Sequence, residues 1–297
     1  MRVIKTLDIE DKHISCLHWD ENGLTSGTLE GSIIFYPRDE TSNGGICHIG
    51  APKTYDDIHS LSITSICFCG GLCVSCGLDG KIAIINTGND EFESKIICAD
   101  VNDAYTIIGI DNRFAVVGTI SGKLYKINVL DDKVEGELEL ASETICKLEK
   151  NKMNNRLLAM DSEEVIEIDY ENMNVTNKIK LEGVCCTCLS VSDDGLTAIV
   201  TTTEGTVRVV DLVAWRQVGC TVFEHNELNR VGEIEFGRRF VVGGSDGRVA
   251  FFNLTKMIKE KGLKIGNDPI LAMAIQYGGN IAAVSGCTSS ITFLDYN

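Results

Sequence analysis

Cysteine is the residue type whose spacing first suggests chemistry in this chain of 297 residues, which contains 13 cysteines. Seven of them fall in two clusters, which are Cys67, Cys69, Cys73 and Cys76, and Cys185, Cys186 and Cys188. A structural zinc site needs four such ligands that converge on one point. Both clusters fall in β-type runs, where alternate side chains point to opposite faces, so Cys73 and Cys76 should diverge. We therefore predict that these thiols pack in the core and hold no metal or cofactor.

Groups suited to covalent or phosphate chemistry are sparse. The five histidines are dispersed along the chain, and no serine or cysteine lies in an elbow of the G-x-S-x-G type. The glycine-rich pieces GGSDG and SGTLEG precede β-type runs, so neither offers the helix N-terminus that binds phosphate. The sequence therefore favours a protein that is not an enzyme.

The charge and composition of the chain limit its partners and its compartment. A formal net charge of −16 repels phosphate backbones and anionic membranes, so nucleic acid is expected to be at most an indirect partner. The first residues, MRVIKTLDIEDKHIS, lack the apolar run of a signal peptide, and no stretch approaches the length of a membrane span. With no export signal, the odd number of cysteines indicates a reducing compartment, the cytoplasm or the nucleus.

A short turn between two β-type runs recurs seven times. Its last residue is glycine in five copies, at Gly31, Gly80, Gly122, Gly205 and Gly247, and is Glu164 or Ser290 in the other two. The spacing is about 42 residues after a longer first interval, and β-type repeats of this length are typical of propeller blades. The sequence thus predicts an all-β fold, a seven-bladed β-propeller with four antiparallel strands in each blade. The predicted blades of this single domain, 1–297, are 13–50, 58–100, 101–141, 142–182, 183–224, 225–267, and 268–297 together with 2–9.

The residues of these turns have a conformational explanation. A two-residue hairpin turn requires positive φ, which glycine adopts freely and Asp tolerates, so Asp246 and Gly247 are expected to form one. We interpret Asp79 and Glu204 in the same way, as turn residues selected for their φ. The alternative is a ring of these carboxylates that holds a cation in the central channel, as in some propeller hydrolases or lyases.

Two segments, ISCLHWDENGLTSGTLEGSIIFY and HSLSITSICFCGGLCVSCGLDGKIAIIN, resemble the first three strands of a blade in the WD-repeat family. In the first segment, Ile14 and Leu17 match the apolar positions of the family and Trp19 matches the aromatic one. The Trp-Asp pair that names the family is missing from every blade. Its places are taken by Phe35-Tyr36, Ile85-Asn86, Ile127-Asn128, Ile168-Asp169, Val210-Asp211, Phe252-Asn253 and Leu294-Asp295.

The resemblance to the WD-repeat family carries two structural expectations. It implies that His59, Ser75 and Asp79 form part of the hydrogen-bonded chain that stabilises blades of this family. It also implies that residues 2–9 supply the outer strand of the last blade. Backbone hydrogen bonds would then close the ring and leave no unpaired inner edge.

The resemblance also implies a function, a non-enzymatic scaffold or adaptor in which a monomeric propeller belongs to a multi-protein complex. The expected binding face consists of the turns between second and third strands and the connections that enter each first strand. Candidate partner-binding residues on this face are Glu30, Leu78, Asp79, Tyr105, Ile120, Glu163, Glu204, Arg230, Asp246 and Thr288. Trp215, at the start of an outermost fourth strand, is a further candidate anchor. Several of these candidate residues are Asp or Glu, which predicts protein partners with basic segments.

Two segments interrupt the repeat and leave alternatives open. Residues 37–57 are an insertion between the first two blades, either a binding loop or a solvated elaboration. Residues 253–269 contain four lysines, Lys256, Lys259, Lys261 and Lys264. The segment 256–264 is either the contact of an RNA-associated subunit or a connector whose lysines protect an edge strand. Strongly salt-dependent binding would distinguish the RNA interpretation.

Overall fold

A computed structural model describes residues 1–39, 49–87, 94–98, 100–140, 142–222, 228–235, 239–256, 258–276 and 280–296, the stretch 228–235 by its backbone alone. These residues form twenty-eight strands in seven sheets, each of four antiparallel strands. None of them lies in a helix long and apolar enough to cross a membrane.

The strands follow the chain blade by blade, after β1 (Arg2–Asp8). Blade one contains β2 (Ile14–Trp19), β3 (Gly23–Thr28), β4 (Ile33–Pro37) and β5 (Lys53–Tyr55). Blade two contains β6 (Ile63–Cys69), β7 (Leu72–Gly77), β8 (Ile82–Asn86) and β9 (Ser94–Ile97). Blade three contains β10 (Ala104–Gly109), β11 (Phe114–Thr119), β12 (Lys123–Asn128) and β13 (Lys133–Glu139).

The second half of the chain repeats this order. Blade four contains β14 (Lys147–Asn151), β15 (Arg156–Met160), β16 (Glu164–Asp169) and β17 (Asn174–Lys180). Blade five contains β18 (Cys186–Val191), β19 (Thr197–Thr202), β20 (Thr206–Asp211) and β21 (Arg216–Val222). Blade six contains β22 (Leu228–Glu235), β23 (Arg239–Gly244), β24 (Arg248–Asn253) and β25 (Ile258–Lys264). Blade seven contains β26 (Ile270–Ile275), β27 (Ile281–Gly286) and β28 (Ser290–Asp295), with β1 at its outer edge.

The first strands of neighbouring blades contact one another around the whole ring, from β2 to β26 and back to β2, so they surround the central axis. The blades pack face to face, and the second strands are therefore buried on both sides, as in β3 and β27. The core lies between blades; for example, Phe240 and Phe252 of blade six pack against Ile199 and Val207 of blade five. This arrangement confirms the predicted all-β, seven-bladed propeller.

The ring is closed by pairing between the two ends of the described chain. Strand β1 runs antiparallel to β28, from Arg2 opposite Asp295 to Asp8 opposite Ser290. Leu7 packs against the hydrophobic cluster between blades seven and one. The prediction that residues 2–9 provide the outer strand of the last blade is confirmed.

Three of the turn glycines, Gly31, Gly80 and Gly247, lie against the backbone of the connection to the next blade. Gly80 has φ +74°, and a Cβ added to it would lie 1.8 Å from the carbonyl oxygen of Asn102, in the connection to blade three. At Gly31, in the turn of blade one, the added Cβ would lie 2.0 Å from the carbonyl oxygen of His59. Glycine is therefore needed both for its φ and for close contact with the next blade's backbone.

The acidic residues of these turns do not have positive φ, which corrects the prediction for Asp79, Glu204 and Asp246. The Oδ1 atom of Asp79 accepts a hydrogen bond from the backbone N–H of Lys81 (3.1 Å), and Asp246 accepts the same bond from Arg248 (3.1 Å). At these two turns the Asp provides a hydrogen-bond acceptor for the turn, and the glycine alone provides the positive φ.

The turn of blade four is one residue shorter than that of blade six, because four residues separate the paired Met160 and Val165 and five separate the paired Gly243 and Val249. This moves the position equivalent to the turn glycine. The carbonyl oxygen of Glu163 accepts a hydrogen bond from the N–H of Leu181 (2.8 Å), as that of Gly247 does from Ile265 (3.0 Å). Glu163 therefore occupies the position equivalent to the turn glycine of the other blades. The prediction that Glu164 occupies this position is wrong by one residue.

Candidate protein-binding face

One face of the ring collects two kinds of segment, because the four strands of each blade are antiparallel. The turns between second and third strands lie at the same end as the connections that enter the first strands. Backbone hydrogen bonds join them, for example Leu78 N–H to Ser62 O (2.8 Å) and Ile120 N–H to Asp103 O (3.0 Å). We call this the acidic face. Its described segments are 9–13, 29–32, 56–62, 78–81, 98 and 100–103, 120–122, 140 and 142–146, 161–163, 181–185, 203–205, 245–247, 265–269 and 287–289.

Carboxylates dominate the charge of the acidic face. They are Glu10, Asp11, Glu30, Asp56, Asp57, Asp79, Asp100, Asp103, Glu143, Asp161, Glu163, Glu182, Glu204, Asp246 and Asp268. The lysines and arginines of the same described segments are Lys12 and Lys81. The described turns of the opposite face carry fewer carboxylates and include Arg38, Arg113, Lys152 and Lys256. The negative charge is therefore concentrated on one side of the disc.

Several of these carboxylates are held in place near blade one. Lys12 Nζ donates hydrogen bonds to Asp56 Oδ1 (2.5 Å) and Ser32 Oγ (2.8 Å), and the contact with Lys12 lowers the pKa of Asp56. Nearby, His13 Nδ1 lies 2.8 Å from Glu30 Oε1. Partial burial acts to raise the pKa of Glu30, but hydrogen bonds from His13 outweigh it and the pKa is lowered. Both carboxylates therefore stay ionised.

His59, Ser75 and Asp79 form the hydrogen-bonded chain that the sequence resemblance implies. The Nδ1 atom of His59 lies 2.9 Å from Asp79 Oδ1, and its Nε2 atom lies 2.9 Å from Ser75 Oγ. Burial acts to raise the pKa of Asp79, and the His59 ring with the N–H of Ser60 lowers it overall. The order Ser–His–Asp matches a hydrolase triad. Ser75 is fully buried, however, so its hydroxyl is inaccessible to a substrate and the chain stabilises the blade.

Most of the candidate partner-binding residues lie on the acidic face. Leu78 and Ile120 are about half exposed, and Glu204 is exposed beside Thr203. Glu163 forms an ion pair with Lys180. Glu30, Asp79, Asp246 and Thr288 occupy the corresponding turns of blades one, two, six and seven.

Three candidates lie elsewhere than expected. Tyr105 is the second residue of β10, at a bulge between Ala104 and Thr106, and is half-buried. Arg230 lies inside β22, paired with Gly243, and its side chain is outside the described atoms. Trp215 precedes β21 in a turn with φ +51° and packs against the core between blades four and five. Neither Tyr105 nor Arg230 lies in a connection, and Trp215 is a partly buried turn residue.

A charged group that the repeat pattern did not indicate lies around the central axis. Lys147 and Glu149 of β14 form an ion pair (Nζ to Oε2, 3.7 Å). Enclosure by the ring raises the pKa of Glu149. It also lowers the pKa of His18 in β2, and Lys147 adds to this effect. The signal available in the sequence was the presence of three charged residues, Lys147, Glu149 and Lys150, inside a first strand.

Six of the seven clustered cysteines are buried thiols, as predicted, whereas Cys185 is exposed and does not pack in the core. Cys67, Cys69, Cys73 and Cys76 lie on the paired strands β6 and β7 and belong to two separate hydrophobic clusters. Burial raises the pKa of Cys76 to about 12, so this thiol stays protonated. Across the described residues, no three His, Cys, Asp or Glu side chains are grouped so that they would hold a metal ion.

The two segments that interrupt the repeat contribute fourth strands. The insertion 37–57 ends in β5, and its residues 40–48 lie outside the described part of the chain. The lysine-rich segment forms the edge strand β25, in which Lys261 and Lys264 are exposed. Glu260 of the same strand pairs with Arg239 (3.2 Å) and so reduces the positive charge there.

Fold and charge together define a seven-bladed β-propeller with one strongly acidic face. No model of a known protein family matches the chain, and no curated protein matches it. Membership of the WD-repeat family therefore stays a proposal that rests on the motifs of the chain.

Proposed function

We propose that the protein is a non-enzymatic scaffold that binds basic segments of partner proteins through the acidic face. The observation that carries this proposal is the excess of carboxylates over Lys12 and Lys81 on that face. A field of one sign over a surface attracts partners of the opposite sign and accelerates their association. The closed ring also keeps the turns in fixed positions, which lowers the ordering cost of binding.

We further propose that the chain is a divergent member of the WD-repeat family. The hydrogen-bonded chain of His59, Ser75 and Asp79 supports this, because the three residues come from the same relative positions as in that family. The position at which the family has tryptophan holds a buried apolar residue, for example Ile85 in the same blade and Val210 in blade five. A cytoplasmic or nuclear location remains a prediction from the sequence.

The test is affinity isolation of the tagged protein from its own cells at physiological salt, with quantitative mass spectrometry. The informative variant is Glu182→Lys with Glu204→Lys, since both side chains are exposed on the acidic face. The matched control is Glu21→Lys with Glu171→Lys, which changes the net charge equally but lies on the opposite face. We expect partners to be lost at least about tenfold from the first variant and retained by the control.

Two results would contradict the proposal. Partners retained equally by both variants would show that the acidic face is not the binding surface. If those partners are released by ribonuclease, the basic strand β25 becomes the candidate contact. Recovery of no partner by the wild-type protein would shift attention to the charged group around the central axis and to an enzymatic function.

A further inference from the structure

Three neighbouring blades place an exposed apolar side chain at equivalent positions on the acidic face. Leu29, Leu78 and Ile120 each directly follow the second strand of their blade and are 39%, 48% and 45% exposed. The N–H of each donates to a carbonyl in the connection that enters the first strand, at His13, Ser62 and Asp103. His13, Ser62 and Asp103 directly precede the first, innermost strand of their blades, so the three apolar residues lie on the inner part of the acidic face.

Leu61 extends this set between blades one and two. Its side chain is 52% exposed. Its carbonyl oxygen would lie 3.1 Å from a Cβ added to Gly31, and the next residue, Ser62, accepts the N–H of Leu78. Leu61 thus lies between the turn of Leu29 and that of Leu78. We call Leu29, Leu61, Leu78 and Ile120 the apolar crescent.

The fold does not require apolar residues at these positions. The described residues that directly follow the second strand in blades five, six and seven are Thr203, Ser245 and Cys287. Thr203 makes the same backbone hydrogen bond, to the carbonyl of Cys185 (2.9 Å). A polar residue therefore satisfies the turn equally well. Clustered apolar side chains that remain exposed typically mark an interaction site.

Carboxylates surround the apolar crescent. Glu30 directly follows Leu29, Asp57 lies in the same connection as Leu61, and Asp103 accepts the N–H of Ser121 next to Ile120 (3.0 Å). The carboxylate of Asp79, after Leu78, is only 6% exposed and is held by His59, so it is not counted among them. A ligand that covers the crescent must therefore place positive charge at its margins. This charge complementarity specifies a peptide with an apolar centre and basic flanks.

Building on the proposed function, we propose that the apolar crescent binds one aliphatic or aromatic side chain of a peptide segment whose flanking residues are Lys or Arg. The apolar side chain supplies burial at the centre of the contact, and the flanking cations pair with the surrounding carboxylates. A basic segment without an apolar residue would bind the acidic face more weakly.

The test uses a phage-displayed library of random twelve-residue peptides, selected on the immobilised full-length protein. Each recovered clone is then assayed on Leu78→Ser with Ile120→Ser, and on the control Leu130→Ser with Leu196→Ser. The control residues are leucines in turns of the opposite face that are at least as exposed as Leu78 and Ile120. Urea unfolding of each variant confirms that the fold is retained. We expect clones with an apolar residue flanked by Lys or Arg to lose at least about tenfold in binding to the first variant only.

The outcomes separate this inference from the proposed function. Clones that are basic, bind both double-serine variants equally and are lost from Glu182→Lys with Glu204→Lys would overturn the crescent and leave the acidic face as the binding surface. Clones without basic residues, or no enriched clones at all, would overturn both.

Discussion

The ring of His59 and the carboxylate of Asp79 join two separate segments of blade two, with 2.9 Å between Nδ1 and Oδ1. His59 comes from the connection that enters the blade, and Asp79 comes from the turn between its second and third strands. Since Nε2 of the same ring contacts the buried Ser75, one imidazole ties the connection, the turn and the second strand together.

Replacing His59 by Ala should therefore destabilise the fold. Ser75 would keep a buried hydroxyl without its ring partner, and Asp79 would lose one of its acceptor contacts. We expect the free energy of unfolding to fall by about 2–3 kcal/mol, measured by urea denaturation. The control is His13→Ala, whose exposed ring pairs with Glu30 and should contribute less than about 1 kcal/mol. Equal losses in the two variants would contradict a structural role for the buried chain.

Gly80 tests the contact between blades. Gly80→Ala forces a Cβ against the carbonyl of Asn102, whereas Gly71→Ala places it at a similar φ of +84° with nothing within 4 Å. The second variant isolates the cost of positive φ, on the order of 1–2 kcal/mol. We expect Gly80→Ala to lower the free energy of unfolding further, by about 2 kcal/mol beyond Gly71→Ala, in urea denaturation. Similar losses would show that the neighbouring connection moves away at little cost.

The repeat predicts the fold well because five of the seven blades share a turn in which a glycine has positive φ, and the glycine marks that turn directly in the sequence. Gly31, Gly80 and Gly247 mark blades whose turns need both positive φ and a close backbone approach. The role of Asp79 is less predictable, because an Asp selected for φ and one that accepts backbone hydrogen bonds look alike in sequence. The position of Trp215 depends on packing between blades four and five, which no local pattern encodes.

The apolar crescent has a partial sequence signal. Leu78 and Ile120 stand out at a turn position where three other blades have Thr203, Ser245 and Cys287. Leu61 lies next to these residues only because of the path that the chain takes between blades one and two. The apolar crescent as a whole therefore cannot be predicted from the sequence.

Closure of the ring by β1 gives a prediction about Leu7. This side chain packs between blades seven and one, whereas Val3 on the same strand is 48% exposed. Leu7→Asp would place an unpaired carboxylate against the apolar cluster, so we expect a loss of about 2–3 kcal/mol in the free energy of unfolding. Val3→Asp serves as the matched control and should change it by less than about 1 kcal/mol in the same urea titration. If Leu7→Asp were equally mild, β1 would contribute little to holding the ring closed.

Glu149 predicts how stability depends on pH. Enclosure by the ring raises its pKa above the ordinary 4.5, so the folded protein binds this proton more tightly than the unfolded chain does. The resulting contribution to stability is fully present below pH 4.5 and is lost as the pH rises through the raised pKa. Glu149→Gln keeps the shape and removes the titration. We therefore expect the free energy of unfolding of Glu149→Gln, relative to wild type, to increase as the pH rises, in urea titrations between pH 4 and 8. A difference for Glu149→Gln that is constant with pH would contradict the effect of enclosure.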